Sequence, residues 1–165
     1  MPDRWGATIR EPRVGIMLHY DGSKTDAGAV AWFKDPRCNV SYQMLVLDDG
    51  SEERIAPDSA RAWHAGVCRA SNPQLTYRDA NSAFYGIAAA NGGKEDVTAP
   101  QLEAIARRVR IYFDLHGWDR VVDAWRIVGH SSEAWPRGRK TDPEGGNRND
   151  PIFTPADVRR MLLDT

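Results

Sequence analysis

Short apolar runs and longer helical patterns alternate along this chain. Apolar runs of strand length occupy residues 14–19, 40–47, 84–90 and 125–128. An Asp-Asp-Gly turn follows the second run and predicts a hairpin into residues 52–55. Because these runs alternate with helical segments, we predict an α/β fold: a single domain with a central mixed β-sheet flanked by helices.

The clearest helix is predicted over residues 98–116. Thr98 and Gln101 have the spacing of an N-terminal capping box, and Gly117 is a typical helix stop. Apolar residues recur at spacings of three and four and share one face, namely Leu102, Ile105, Ala106, Val109, Tyr112 and Phe113. The pattern indicates an amphipathic helix that packs on the sheet.

Two shorter helices and one long loop complete the predicted order. A helix is expected over residues 25–33, and the Asp-Pro pair that follows it favours its end there. Thr154 is expected to cap a final helix over residues 155–163. Residues 65–80 are mostly polar and contain glycine and proline, so we predict a loop.

Composition and charge exclude several classes of protein. A chain of 165 residues with a net charge of −1 predicts one core and no strongly basic face, so nucleic acid is not expected as a main partner. No apolar stretch approaches the roughly 20 residues that span a bilayer, and the N-terminus lacks the apolar core of a signal peptide. We expect synthesis in the cytoplasm, without membrane insertion. Cys38 and Cys68 form no CxxC pair, which excludes a cysteine-rich zinc site.

Two of the four histidines follow predicted strands. His19 ends the first apolar run, His130 ends the run that begins at residue 125, and Asp142 comes twelve residues after His130. Two imidazoles and a carboxylate are a ligand set of catalytic zinc sites, which keep a fourth position open for water. Taken singly, each residue also fits an ordinary role, as a strand-end histidine bonded to the backbone or as an aspartate in a turn.

Lys140 indicates what kind of reaction this candidate metal site would catalyse. It precedes Asp142 by two residues, so in an extended chain both side chains point the same way. A cation beside a metal ion is electrostatically costly unless the chemistry uses it, and stabilising a developing oxyanion is such a use. Strand ends are also where open α/β sheets place their sites.

Three motifs carry a resemblance to a known family. They are His19-Tyr20 after an apolar strand, the sequence RAWHAG at 61–66, and Gly129-His130 followed by GRKTDP at 138–143. Their order over roughly residues 14–143 resembles the zinc-dependent N-acetylmuramoyl-L-alanine amidases of type 2. This group includes phage endolysins, wall-recycling amidases and peptidoglycan recognition proteins. The last motif is the most specific of the three.

The resemblance implies a role for each matching residue. His19, His130 and Asp142 fall on the three ligands of one Zn²⁺ ion. Lys140 falls on the catalytic lysine, and Tyr42 falls where the phage enzymes carry a catalytic tyrosine.

The middle motif supplies the expected substrate groove. Trp63 and His64 match its lining residues, and His64 is expected to contact or orient substrate rather than to bind the metal. His116 is expected to be an ordinary histidine at a helix C-terminus, where it meets the helix dipole.

The chain departs from the family pattern at several positions. Ala88 stands where the recycling amidases carry a catalytic glutamate, Asp21 where a hydroxyl residue is usual, and Gln43 where histidine is common. Residues 144–149 also differ and are expected to shape one wall of the groove. None of these differences removes an expected zinc ligand.

The resemblance predicts a peptidoglycan hydrolase that cleaves the amide between N-acetylmuramic acid and L-alanine of the stem peptide. Ala88 and Tyr42 favour a phage endolysin acting in host lysis. The alternatives are a cytosolic wall-recycling amidase and a non-catalytic peptidoglycan-binding or regulatory protein. We expect a monomer with one catalytic domain over residues 1–165 and no separate cell-wall-binding domain.

Overall fold

A mixed β-sheet forms the centre of the molecule. The computed structural model describes residues 6, 8–91, 96–143 and 152–163, so the expected groove wall at 144–149 lies outside the described residues. Five strands lie within this part, in the order β3-β2-β4-β1-β5. They are β1 (Gly15–Tyr20), β2 (Met44–Val46), β3 (Glu52–Arg54), β4 (Phe84–Ala89) and β5 (Ile127–Gly129). Only the hairpin partner β3 is antiparallel to its neighbour, which confirms the predicted mixed sheet.

Helices flank the sheet, as the sequence predicts. They are α1 (Asp26–Lys34), α2 (Ala80–Ala83), α3 (Ala99–His116), α4 (His130–Glu133) and α5 (Pro155–Leu163). Thr25 caps α1, and the Thr98–Gln101 capping box opens α3. In the described part of the chain, no helix is long and apolar enough to cross a bilayer.

The two faces of the sheet are covered differently. Ile16, Leu18 and Ile87 point to one face, where α3 and α5 complete the largest apolar core. Side chains alternate along a strand, so Met17 and Ala88 point to the other face and join two smaller apolar clusters. The loops that build the candidate site pack on this second face.

Two local predictions are wrong in detail. The run at 40–47 is a strand only over Met44–Val46, because Ser41 instead donates its backbone N–H to the Trp63 carbonyl. Trp125 lies in a 3₁₀ turn, Ala124–Arg126, and pairing with β1 begins only at Ile127.

Two boundaries also differ near the ends of predicted loops and strands. The loop predicted over 65–80 ends in the short helix α2, whose backbone N–H groups at Ser82 and Ala83 bond to the Asp79 carbonyl. His130, expected as the last strand residue, is the first residue of α4 because β5 stops at Gly129.

Candidate active site

The three expected metal ligands meet at one edge of the sheet. His19 lies near the end of β1 and His130 directly follows β5, and these strands are parallel neighbours. Asp142 reaches both from a loop: its Oδ2 atom lies 2.7 Å from His19 Nδ1 and 3.0 Å from His130 Nδ1. All three residues are buried, and their candidate ligand atoms lie within 4.8 Å of one another.

Hydrogen bonds to neighbouring groups indicate which nitrogen of each histidine ring carries the hydrogen. His130 Nε2 lies 2.8 Å from the Ala65 carbonyl oxygen, so this nitrogen donates. His64 Nε2 lies 3.3 Å from the Phe84 carbonyl oxygen and also donates, which leaves His64 Nδ1 to accept from His19 Nε2 at 3.0 Å. The network therefore assigns unprotonated Nδ1 atoms to both His19 and His130.

This assignment makes the centre of the cluster rich in electron pairs. Burial lowers the pKa of His19 to about 4, so its ring is neutral at pH 7. Two ring nitrogens and a carboxylate that face one another suit a cation, and this donor set fits zinc.

Residues distant in sequence support this cluster. Asn81 Oδ1 accepts the backbone N–H groups of His64 at 2.9 Å and Ala65 at 2.8 Å, which fixes the segment that contacts His19 and His130. Gly86 makes room for the His64 ring, since a Cβ atom there would lie 2.9 Å from His64 Cγ. Sequence reasoning missed Asn81 and Gly86, because no local pattern distinguishes them.

A groove of about 490 Å³ opens over the cluster of His19, His130 and Asp142, and the last two residues are part of its lining. Trp63 forms part of its wall. The Arg61 guanidinium lies 3.9 Å from the Trp63 ring centroid, and Asp79 holds this guanidinium through two hydrogen bonds. Arg61 therefore supports the Trp63 ring, which is still 38% exposed and accessible to a ligand.

Tyr42 and Lys140 also line the groove. The Tyr42 ring centroid lies 5.0 Å from that of His19, and burial raises the pKa of Tyr42, so its hydroxyl keeps its proton and can donate. Lys140 is exposed at the rim, beside Thr141, whose hydroxyl bonds to the Tyr20 hydroxyl at 2.8 Å.

The seven residues expected at the site thus come together around one groove, with His19 beneath it. His116 lies elsewhere, at the C-terminal residue of α3, where it bonds to the Tyr85 hydroxyl. Cys38 and Cys68 are both free thiols.

Comparison with known proteins gives one family. Residues 10–145 match the family described as N-acetylmuramoyl-L-alanine amidase. A search of curated protein sequences found no significant match. Among solved structures, a selenomethionine derivative of AmpD is 22% identical with a TM-score of 0.74, and the alignment covers 97% of this chain and 90% of that one.

Two other solved structures represent different branches. AmiD from E. coli, in complex with anhydro-N-acetylmuramic acid-L-Ala-D-γ-Glu-L-Lys, is 20% identical with a TM-score of 0.65, over 87% of this chain and 58% of that one. The endolysin LysCS from Clostridium intestinale is 17% identical with a TM-score of 0.60, over 96% of this chain and 90% of that one. At these identities the likeness establishes the fold.

Proposed function

This chain belongs to the family of N-acetylmuramoyl-L-alanine amidases, and we propose that it acts as a zinc-dependent phage endolysin. Peptidoglycan amidase activity follows from membership in the family. The observation that carries the zinc proposal is the convergence of His19 Nδ1, His130 Nδ1 and a carboxylate oxygen of Asp142 beneath an open groove.

The residues around the groove have different proposed roles in amide hydrolysis. His19, His130 and Asp142 would hold the zinc ion, which when bound lowers the pKa of its water towards ~7 and polarises a carbonyl. Lys140 and the Tyr42 hydroxyl supply hydrogen-bond donors for the oxyanion that develops on the scissile carbonyl. Trp63 offers an apolar wall for the sugar or the peptide.

Hydrolysis of purified peptidoglycan tests the amidase reaction directly. Loss of turbidity should coincide with release of the free amine of L-alanine, and both should disappear with a chelator or in His130→Ala. A non-catalytic peptidoglycan-binding or regulatory protein would instead bind the wall without releasing the amine. That outcome would contradict the proposed function.

The lytic role is supported by two positions. Ala88 lies on the sheet face that carries the site, where the recycling amidases are expected to have a glutamate. Tyr42, which falls where the phage enzymes are expected to carry a tyrosine, lines the groove. An endolysin should cleave intact sacculi at least as well as soluble anhydro-muropeptides. A strong preference for the soluble fragments would favour the recycling alternative.

A further inference from the structure

An exposed tryptophan of α1 lines the groove but has no role in the reaction described above. Trp32 is 48% exposed, whereas the next residue, Phe33, is buried in an apolar cluster on the site face of the sheet. A single exposed apolar side chain is ordinary on a protein surface. Whether Trp32 has a function therefore depends on what lies beside it.

Trp32 shares its side of the groove with two other exposed apolar residues. Val40 and Trp63 both line the groove as well. Their segments are joined, because Ser41 donates its backbone N–H to the Trp63 carbonyl at 3.1 Å and accepts the Trp63 N–H on its Oγ atom at 2.9 Å. Trp32, Val40 and Trp63 are called the apolar wall below.

The opposite side of the groove carries positive charge. Arg139 and Lys140 are exposed there and are called the cationic rim. Arg139 is held in place, since its guanidinium donates to the carbonyls of Ala65 at 3.2 Å and Val67 at 2.9 Å. The cationic rim therefore has a fixed position in the loop that follows β5 and α4.

The candidate metal site lies between the apolar wall and the cationic rim. The Tyr42 ring centroid is 5.3 Å from that of Phe33 in α1 and 5.0 Å from that of His19, so Tyr42 separates α1 from the ligand set. Helix α1 packs over residues of β2 and β4, whereas the loop with the cationic rim follows β5, and β1 with His19 lies between β4 and β5. A substrate whose scissile amide lies over the site must extend in both directions.

The two parts of a muropeptide differ in the same way as the two sides of the groove. The stem peptide ends in a carboxylate, which forms charge-assisted hydrogen bonds with arginine and lysine. The sugar rings are neutral, and their apolar C–H faces pack on the electron-rich faces of aromatic rings. The polarity of the groove therefore favours one orientation of the substrate over the reverse one.

We propose that Trp32 is a substrate-binding residue that packs against the saccharide, so that the glycan lies along the apolar wall and the stem peptide along the cationic rim. This inference rests on the proposed function, because it takes the ligand to be a muropeptide. It also assigns the saccharide, and not the peptide, to the side of the groove that Trp63 shares.

Two substitutions of Trp32 test the assignment. Trp32→Ala removes the aromatic face from a partly exposed helix position where alanine is well tolerated, and Trp32→Tyr keeps an aromatic ring there. Leu115→Ala is the matched control, since Leu115 is an exposed apolar residue of α3, the helix that covers the opposite face of the sheet.

The measurements are kcat and KM on a soluble disaccharide-peptide, together with zinc content and Tm. NMR titration of the zinc-loaded protein gives the Kd of each product, the disaccharide and the free stem peptide. We expect Trp32→Ala to raise KM and the Kd of the disaccharide by about tenfold, as for a tryptophan at the centre of an interface. The kcat should change by less than about twofold, because binding remote from the reacting bond is lost.

The other readouts should stay at wild-type values. These are the Kd of the stem peptide, the zinc content and the Tm of Trp32→Ala, and every measurement on Leu115→Ala. Trp32→Tyr should recover KM to within about threefold of wild type, because an aromatic face is restored.

Several outcomes would overturn the assignment. Wild-type KM and disaccharide Kd in Trp32→Ala would do so, as would a fall in zinc content or Tm that accounts for weaker binding. Weaker binding of the stem peptide in place of the disaccharide would mean that the substrate lies the other way round. Failure of the wild-type protein to release the L-alanine amine is a separate result, and it would contradict the proposed function instead.

Discussion

At the scale of single residues, the site depends on which nitrogen of each histidine carries hydrogen. The Ala65 carbonyl accepts from His130 Nε2, and the Phe84 carbonyl accepts from His64 Nε2. The second bond leaves His64 Nδ1 free to accept from His19 Nε2, which sets the tautomer of His19. Partners of this kind orient metal ligands and raise their basicity. His64 would therefore contribute to the proposed metal site although it is not itself one of the three candidate ligands.

We predict that His64→Phe weakens zinc binding by about 10- to 100-fold, the usual effect of removing such an outer partner. The phenyl ring cannot accept from His19 Nε2, so the tautomer of His19 is no longer fixed. Competition with a chromogenic chelator measures the affinity. Trp63→Phe, which alters the same wall but no bond to a ligand, should bind zinc as wild type does. Equal zinc affinity in His64→Phe and wild type would contradict this role.

Lys140→Ala should keep its zinc yet lose about 10²- to 10³-fold in kcat, because one donor to the developing oxyanion is removed. Elemental analysis and the rate of amine release measure the two effects separately. Arg137→Ala is a suitable control, since Arg137 is an exposed neighbouring cation that donates to the Arg69 carbonyl. Wild-type rates in Lys140→Ala would rule out the catalytic role.

At the scale of secondary structure, the elements with strong local signals are those that the sequence predicts best. Helix α3 begins and ends where its capping box and Gly117 indicate. Residues 40–43 and Trp125 were mispredicted because apolar character alone does not decide whether a strand partner is available. Pairing with β1 begins only at Ile127, which depends on contacts distant in sequence.

The same distinction applies to the site. His19, His130 and Asp142 could be proposed from strand ends and a motif, because their spacing is a local signal. Asn81 and Gly86 could not be proposed in this way, because both act on His64, which is distant in sequence. Asn81 accepts a hydrogen bond from the His64 backbone, and Gly86 leaves room for the His64 ring because it has no side chain.

Gln101 links helix α3 to the β-sheet through hydrogen bonds. Its buried side chain donates to the Val46 carbonyl at 3.1 Å and the Ala90 carbonyl at 3.0 Å, which joins the start of α3 to the ends of two strands. We predict that Gln101→Met lowers the free energy of unfolding by about 2–4 kcal/mol, because the Ala90 carbonyl loses this donor and the Val46 carbonyl keeps only the Ala90 N–H. Urea unfolding measures this loss.

Thr98→Ala is the control for that measurement. It removes the cap of the same helix and a hydrogen bond to the exposed Asp48 carbonyl but leaves the links to the strands, so it should cost only about 1 kcal/mol. If the two variants were equally destabilised, Gln101 would matter only as part of the capping box.

At the scale of the whole molecule, the sheet separates a stabilising face from a functional one. The large core lies under α3 and α5, whereas the site face has two smaller apolar clusters and the buried residues His19, His130 and Asp142. Electron pairs gathered at this edge oppose folding unless a cation joins them. A metal ion bound at this edge is therefore expected to affect the stability of the fold as well as the reaction.

We predict that chelation lowers Tm by about 5–10 °C relative to protein with zinc at 100 times its Kd, which corresponds to a loss of about 2.7 kcal/mol. Zinc should restore both Tm and amine release, whereas magnesium, which prefers oxygen ligands, should restore neither. His130→Ala should show no zinc-dependent change in Tm, because one of the three ligands is gone. Differential scanning calorimetry with and without each ion measures these shifts. A Tm unaffected by chelation, together with undiminished amine release, would mean that the cluster of His19, His130 and Asp142 holds no functional metal.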